Sequence, residues 1–352
     1  MPFVEYYKAA RLRKARRSKR LKGRPEWQDK LPESSEAKET FRIAAKYEER
    51  FTRAFLNAVR HMLTPEDEKN FKKAFKSGSI QECIDSLPVF REGATDDKKV
   101  WERFIDRLDD VYYDILKESG QAAARRMNKD FNTDFEFTME PLHKAEVPPP
   151  VSFVPVNPYA VDWIQTRSLD LAKKTLAANQ REVIREILEH SFEHGLRAEK
   201  TYASIKANIG LNHKGPLSYR AVRNREALHR AAGLPEAEVK RLTDKYRNKL
   251  LNTRAEMIAR TETIAANAAG RNQTWQLAQE AGKLPDVVRE WIAAPDSPDP
   301  DRPCEQCEDL DGKTAKIGEP YESTEGPVDA PPAHPDCRCT ETIRKRRKGD
   351  AV

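Results

Sequence analysis

The chain has 352 residues, of which 38% are hydrophobic, 8% aromatic and 34% charged, and its 63 Lys and Arg against 57 Asp and Glu give a net charge of +6. That length suits two or three folding units, and the apolar share is low for one compact globule, so part of the chain is expected to be extended, solvated or dependent on a partner. No run approaches the roughly 18 apolar residues of a membrane-spanning helix, no apolar segment follows the first basic residues, and five cysteines are too few and too odd a set for a secreted disulfide framework, which leaves a protein made in a cytoplasm.

The charge is unevenly spread. Residues 1–30 carry eleven basic and three acidic side chains, the tail 344–352 carries five and one, and the body 31–343 is therefore −6. The first block includes Arg11, Arg13, Lys14, Arg16, Arg17, Lys19, Arg20 and Lys22. Blocks of like charge stay disordered until they meet a polyanion, which makes this arm a candidate for nucleic-acid contact, with a solvated tail as the plain alternative. The C-terminal tail either adds to that contact or keeps the end soluble.

Residues 31–140 read as a helical unit. Phe41, Ala45, Tyr47, Phe51, Phe55 and Val59 recur at three- and four-residue steps among charges, the spacing of an amphipathic helix. Thr64-Pro65-Glu66-Asp67 predicts a cap opening a second helix through Phe71 and Phe75. A third is predicted from about Lys98 to Glu118, with Gly120 ending it. Cys83 stands alone and reads as a small buried residue.

Residues 141–157 are rich in proline, including Pro148-Pro149-Pro150, and read as a linker. Asn157 is placed to cap a helix starting at Pro158. From 158 to 282 the pattern is again helical, with Gly195, Gly210, Gly215, Gly233 and Gly282 at C-terminal cap positions. The longest helix is predicted at about 235–281. Its second half carries Ala255, Ala259, Ala265, Ala266, Ala268 and Ala269, small side chains that let another backbone come close, so it is expected to be the buried axis. Residues 283–343 change character: Val287 to Ile292 has strand propensity, and the prolines, aspartates and glycines beyond it suit turns. The expected fold is mainly α, with a helical N-terminal unit and a helical middle domain followed by a small Cys-rich α+β or β appendage.

The cysteines carry the chemistry of that appendage. Cys304 and Cys307 form a Cys-x2-Cys pair, and His334, Cys337 and Cys339 follow within one short run. Thiolates and imidazole are the ligands of tetrahedral zinc, and five donors supply one four-coordinate site with either His334 or one of Cys337 and Cys339 to spare. Such an ion would stabilise a segment too small to form its own core. Reduced thiols packed as small hydrophobes, or a disulfide, are the alternatives. A zinc knuckle reading nucleic acid is disfavoured by charge: Asp286 to Asp311 carries nine acids and two bases, a face that repels phosphate.

The run Arg254 to Thr263, with Arg260-Thr261-Glu262 at its centre, then Asn267, Trp291, Cys304-x2-Cys307, Asp311-Gly312 and Pro331 through Thr340, resembles the phage minor head protein family, the Mu F-like head morphogenesis proteins. The resemblance covers roughly 157–343 and does not reach residues 1–140. It implies a structural protein without catalysis, built into the procapsid in few copies, associated with portal, scaffold or major capsid protein, found inside the virion head after assembly in the host cytoplasm, and affecting the packaged DNA. Arg260 and Glu262 would pair with each other or hold the appendage against the helical axis. His190-Ser191-Phe192-Glu193-His194 has the H-x-x-E-H spacing of a metallopeptidase. Gly195 follows at once and no third ligand is evident, so the histidines read as a surface pair in a last helical turn. A metallopeptidase or a nuclease or toxin carried in the head, and a zinc-containing DNA-binding protein, are the rival readings.

Overall fold

The structure, a computed structural model, describes residues 35–91, 98–137, 163–164, 166–167, 171, 178–294 and 304–350. The basic arm, the proline-rich linker and the cap at Asn157 lie outside them. The described residues are mainly helical, with one small antiparallel sheet near the C-terminus. No described helix is long and apolar enough to cross a membrane.

Helix α1 (Ser35–Arg60) buries Phe41, Tyr47, Phe51, Phe55 and Val59 of the stripe its sequence spacing predicts, while Ala45 is only partly buried. Helix α2 (Pro65–Ala74) opens on a reciprocal cap: the Asp67 N–H donates to the Thr64 hydroxyl at 3.1 Å and the Thr64 N–H to the Asp67 carboxylate at 2.7 Å. Helix α3 (Ile80–Asp85) places Cys83 in the core, fully buried.

Helix α4 (Lys98–Phe131) runs well past the expected stop at Gly120. That glycine serves packing. A Cβ there would lie 2.2 Å from the Phe137 ring, and its carbonyl accepts the Thr274 hydroxyl at 3.2 Å. The helix ends at Asn132, which takes a left-handed φ of 54°. Asn128 closes the turn, accepting from the Phe135 N–H at 3.0 Å and donating to the Phe135 carbonyl at 2.8 Å.

Helices α5 (Ala178–Glu193), α6 (Ala198–Asn208) and α7 (Tyr219–Ala231) lead into α8 (Glu236–Glu280). Gly195 and Gly282 follow α5 and α8 at φ 59° and 66°, a conformation that L side chains rarely adopt. The 45 residues of α8 span about 67 Å. Its two halves differ as expected: from Arg254 onward most residues are buried, whereas before it only Val239, Thr243 and Leu250 are. At Gly270 a Cβ would stand 2.5 Å from the Leu116 carbonyl oxygen, so α4 and α8 cross with backbones in contact. One hydrophobic core takes in Phe51, Tyr112 and Ile115 from before the proline-rich stretch and Ile184, Ile187, Ala255 and Ala259 from after it.

The C-terminal lobe is built on a three-stranded antiparallel sheet of order β2-β1-β3, from β1 (Val287–Ile292), β2 (Thr314–Ala315) and β3 (Thr340–Lys345). Trp291 faces Glu341 and Arg289 faces Ile343 in the β1–β3 register. A short helix, α9 (Glu305–Leu310), precedes β2. Trp291, Leu310, Tyr321, Cys307, Cys337 and Cys339 form a small core of their own.

Candidate metal centre

Cys304 is the N-cap of α9 and Cys307 lies in its first turn, so the Cys-x2-Cys spacing puts both sulfurs on one side of a tight corner. The second segment of the site is the irregular run from His334 to Cys339 that leads directly into β3. His334 Nε2 lies 3.1 Å from Cys304 Sγ and 3.1 Å from Cys307 Sγ, and Cys307 Sγ lies 3.8 Å from Cys337 Sγ. The ligand atoms of Cys304, Cys307 and His334 all fall within 4.8 Å of one another, as do those of Cys307, Cys337 and Cys339. Cys307 is common to both groups.

One edge of the cluster has the spacing of a tetrahedral site, although the mutually close donors form two triads joined at Cys307 rather than one set of four. Two sulfurs held about 2.3 Å from one ion at the tetrahedral angle stand about 3.8 Å apart, the separation of Cys307 from Cys337. The Nδ1 of His334 sits 2.9 Å from the Pro335 carbonyl, which fixes Nδ1 as the protonated nitrogen and leaves Nε2 to face the sulfurs. The Cys339 N–H donates to Cys337 Sγ at 3.4 Å. Cys337 is held well below an ordinary thiol by the hydrogen bonds it receives from Cys307 and Cys339, and Cys307 is pushed up because it donates to Cys337. All five donors predicted from the sequence meet here, and the cysteines are unbonded to one another.

The Arg-Thr-Glu motif divides between two tasks. Arg260 pairs with the Asp336 carboxylate and lies 3.7 Å from Glu48, while the Thr261 hydroxyl donates to the Met257 carbonyl at 3.0 Å and accepts the Asp336 N–H at 3.0 Å. Asp336 stands between His334 and Cys337 at a left-handed φ of 66°. Two consecutive side chains of α8 thus fasten the Cys/His run to the helix. Glu262 turns the other way, accepting from the Tyr112 hydroxyl at 2.8 Å and from Arg167 at 2.7 and 3.0 Å. Arg260 and Glu262 do not pair with each other; of the two roles open to Arg260 in the sequence, the structure has it holding the appendage. Burial pushes the Glu48 carboxyl up, with Arg260 and Arg338 opposing.

A second polar group in the lobe left no mark in the sequence. Arg289 and Glu341 are both buried and pair at 2.9 Å across β1 and β3. Glu341 also accepts the Tyr321 hydroxyl at 2.9 Å and the Asn272 amide at 2.5 Å, and Arg271 donates to Thr40, Thr340 and the Glu341 carbonyl. This network ties the sheet to α8 and, through Thr40, to α1.

Two other sequence features lie outside the Cys/His cluster. The His190 and His194 rings lie 4.1 Å apart, tilted by 48°, at the C-terminal end of α5, with His194 Nδ1 2.9 Å from the His190 carbonyl, so that one ring caps the helix end. Burial and Arg223 lower the His190 pKa. In the basic tail, Arg344 belongs to β3 and is neutralised by Glu290 and by both oxygens of Asp350 at 2.8 Å, and Arg346 lies 3.7 Å from Asp286. Part of the tail's charge is thus satisfied by the protein itself.

Residues 182–342 match the family described as phage Mu protein F like protein. Neither a curated protein nor a solved structure matches the chain. The matched stretch starts in α5 and ends in β3, further in than the 157 at which the resemblance begins in the sequence. It contains both partners of every contact that fastens the Cys/His run to Arg260 and Thr261. Over this stretch, a little under half of the chain, the protein is similar to the Mu F-like phage head proteins.

Proposed function

We propose that the chain is a structural minor head protein that enters the procapsid through contact with portal, scaffold or major capsid protein, resides inside the head, and touches packaged DNA through residues 1–30. The observation that carries this reading is the coincidence of the family match with one fastened unit, α8 plus the Cys/His lobe. That unit joins its parts by side-chain clamps. In this reading zinc is a structural ion held by four of Cys304, Cys307, His334, Cys337 and Cys339. When bound it supplies cross-linking between α9 and the run before β3, and no chemistry on a substrate. Cys307, shared by both donor groups, is the ligand whose loss removes the site.

The test is co-expression with portal, scaffold and major capsid proteins followed by isolation of procapsids. Retention of the chain in the particles, and its loss when portal is omitted, supports the reading; particles free of it overturn it. For the DNA contact, the full chain should bind duplex DNA with a steep salt dependence that disappears on deleting residues 1–24. Equal binding by the truncated chain removes that part of the proposal. Zinc content is read on purified protein: about one ion per chain, lost in Cys307→Ser, is expected.

A further inference from the structure

Helix α7 and the first half of α8 form an arm. Between Asn224 and Lys249 only Val239 and Thr243 are buried, so this pair of helices has little core of its own. The 18 residues from Glu236 to Thr253 give it a length of about 27 Å.

The arm is cationic: Tyr219 to Lys249 holds nine Lys and Arg against four Asp and Glu, +5. Its carboxylates are engaged by its own cations, Glu226 and Glu236 by Arg230 at 2.7 and 2.9 Å, Glu238 by Arg241 at 2.6 Å and Asp244 by Lys240 at 2.8 Å. Lys245 and Lys249 remain, exposed, one turn apart on α8 and without an ion pair among the described residues. On α7, Arg225 lies over the Tyr246 ring at 4.9 Å, and one turn on is Leu228, 56% exposed, which stands out among the described residues as a large hydrophobic side chain in water.

The Cys/His lobe has the opposite charge. Its described residues, 283–294 and 304–343, hold twelve acids against five bases, −7. Asp309 accepts the Thr324 N–H at 2.9 Å and so draws the 322–325 turn against α9, which gathers Glu305, Asp311, Glu322 and Glu325, all exposed, at that side of the lobe. Within one molecule α8 keeps arm and lobe apart. The lobe is fastened at Arg260 and Arg271, about 23 and 39 Å along the helix from Lys245.

We propose that the α7–α8 arm of one copy docks on the acidic lobe of a second copy, a head-to-tail contact seated by Leu228 and steered by Lys245 and Lys249. A protein surface fits better than a phosphate backbone, because the arm also presents four carboxylates and an apolar side chain that phosphate does not complement. The contact is heterologous, so it propagates into a ring or a chain. Exposed ion pairs are individually weak and screened by salt, so association is weak and salt-sensitive. The proposal stands independently of the role in the head.

The test is sedimentation of the full chain over a wide concentration range at low and high salt, with circular dichroism showing that each variant is folded. The expected result is a mass that grows with concentration at low salt and returns to monomer at high salt. The pair Lys245→Glu with Lys249→Glu should be monomeric, as should Glu305→Lys with Glu322→Lys. Mixed together, the two variants should associate again, since each then offers a surface complementary to the other. A wild-type chain that stays monomeric at low salt, variants that associate like wild type, or a mixture that stays monomeric overturns the proposal. A monomer whose affinity for duplex DNA is lost in Lys245→Glu with Lys249→Glu also overturns it, and makes the arm a phosphate-binding surface.

Discussion

The Thr261 hydroxyl accepts the backbone N–H of Asp336 at 3.0 Å while donating to the Met257 carbonyl. One oxygen on α8 thereby fixes the backbone between two candidate metal ligands, His334 and Cys337. Thr261→Val keeps the shape and removes the acceptor, leaving the Asp336 N–H without its partner at a cost of about 1–3 kcal/mol. Unfolding should shift by that amount, and a chelator should strip zinc faster. Thr261→Ser should restore both. If the valine variant matches wild type in chelator kinetics, the clamp does not hold the metal run.

Gly270 and Gly120 should respond differently to a methyl group. At Gly270 the new Cβ meets the Leu116 carbonyl oxygen at 2.5 Å, which is backbone of a facing helix and moves only if the two helices part. At Gly120 it meets the buried Phe137 ring at 2.2 Å, a side chain rather than the backbone of a facing helix. Alanine is the better helix former by about 1 kcal/mol at both places. Gly270→Ala should nevertheless lose about 2 kcal/mol or more, whereas Gly120→Ala should lie within about 1 kcal/mol of wild type. Urea titration of the two variants decides it, and equal losses would mean the crossing is not a close one.

The sequence makes α8 legible because alanine spacing and length both survive without knowledge of what packs there. The capping of α2 is legible because all its atoms lie within four residues. Gly120 misleads because a helical glycine looks like a stop unless the ring of Phe137 and the hydroxyl of Thr274 are in view. In the site, cysteine spacing shows which residues gather. The partner of Arg260 lies 76 positions away and could not be read, nor could the pairing of Arg289 with Glu341 across two strands. Local chemistry is written in the chain; long-range partners are fixed by topology.

The Arg289–Glu341 pair should behave as a buried ion pair. Arg289→Met leaves the Glu341 carboxylate fully buried with only Tyr321 and Asn272 as donors. The expected loss is about 3–5 kcal/mol. Removing both charges with Arg289→Met and Glu341→Leu should be much milder than the sum of the single changes, since no charge is left behind. A double-mutant cycle read by thermal unfolding tests this; additive losses would show that the two groups do not act as a pair.

Cys83 sets an alkaline limit. Burial pushes its thiol from the ordinary value of 9.0 up to about 11. The raised folded value means the native state holds the proton more tightly than the unfolded chain does. Its contribution is therefore complete below pH 9, where both states are protonated, and is lost as the pH rises through 11, because the unfolded thiol ionises first. The slope amounts to about 1.4 kcal/mol per pH unit across that window. Cys83→Val keeps an apolar side chain of similar size in the core and cannot ionise. Its stability should fall less steeply than wild type between pH 9 and 11 and run parallel to it below pH 8. Parallel curves throughout would show that the Cys83 thiol ionises as readily in the folded protein as in the unfolded chain.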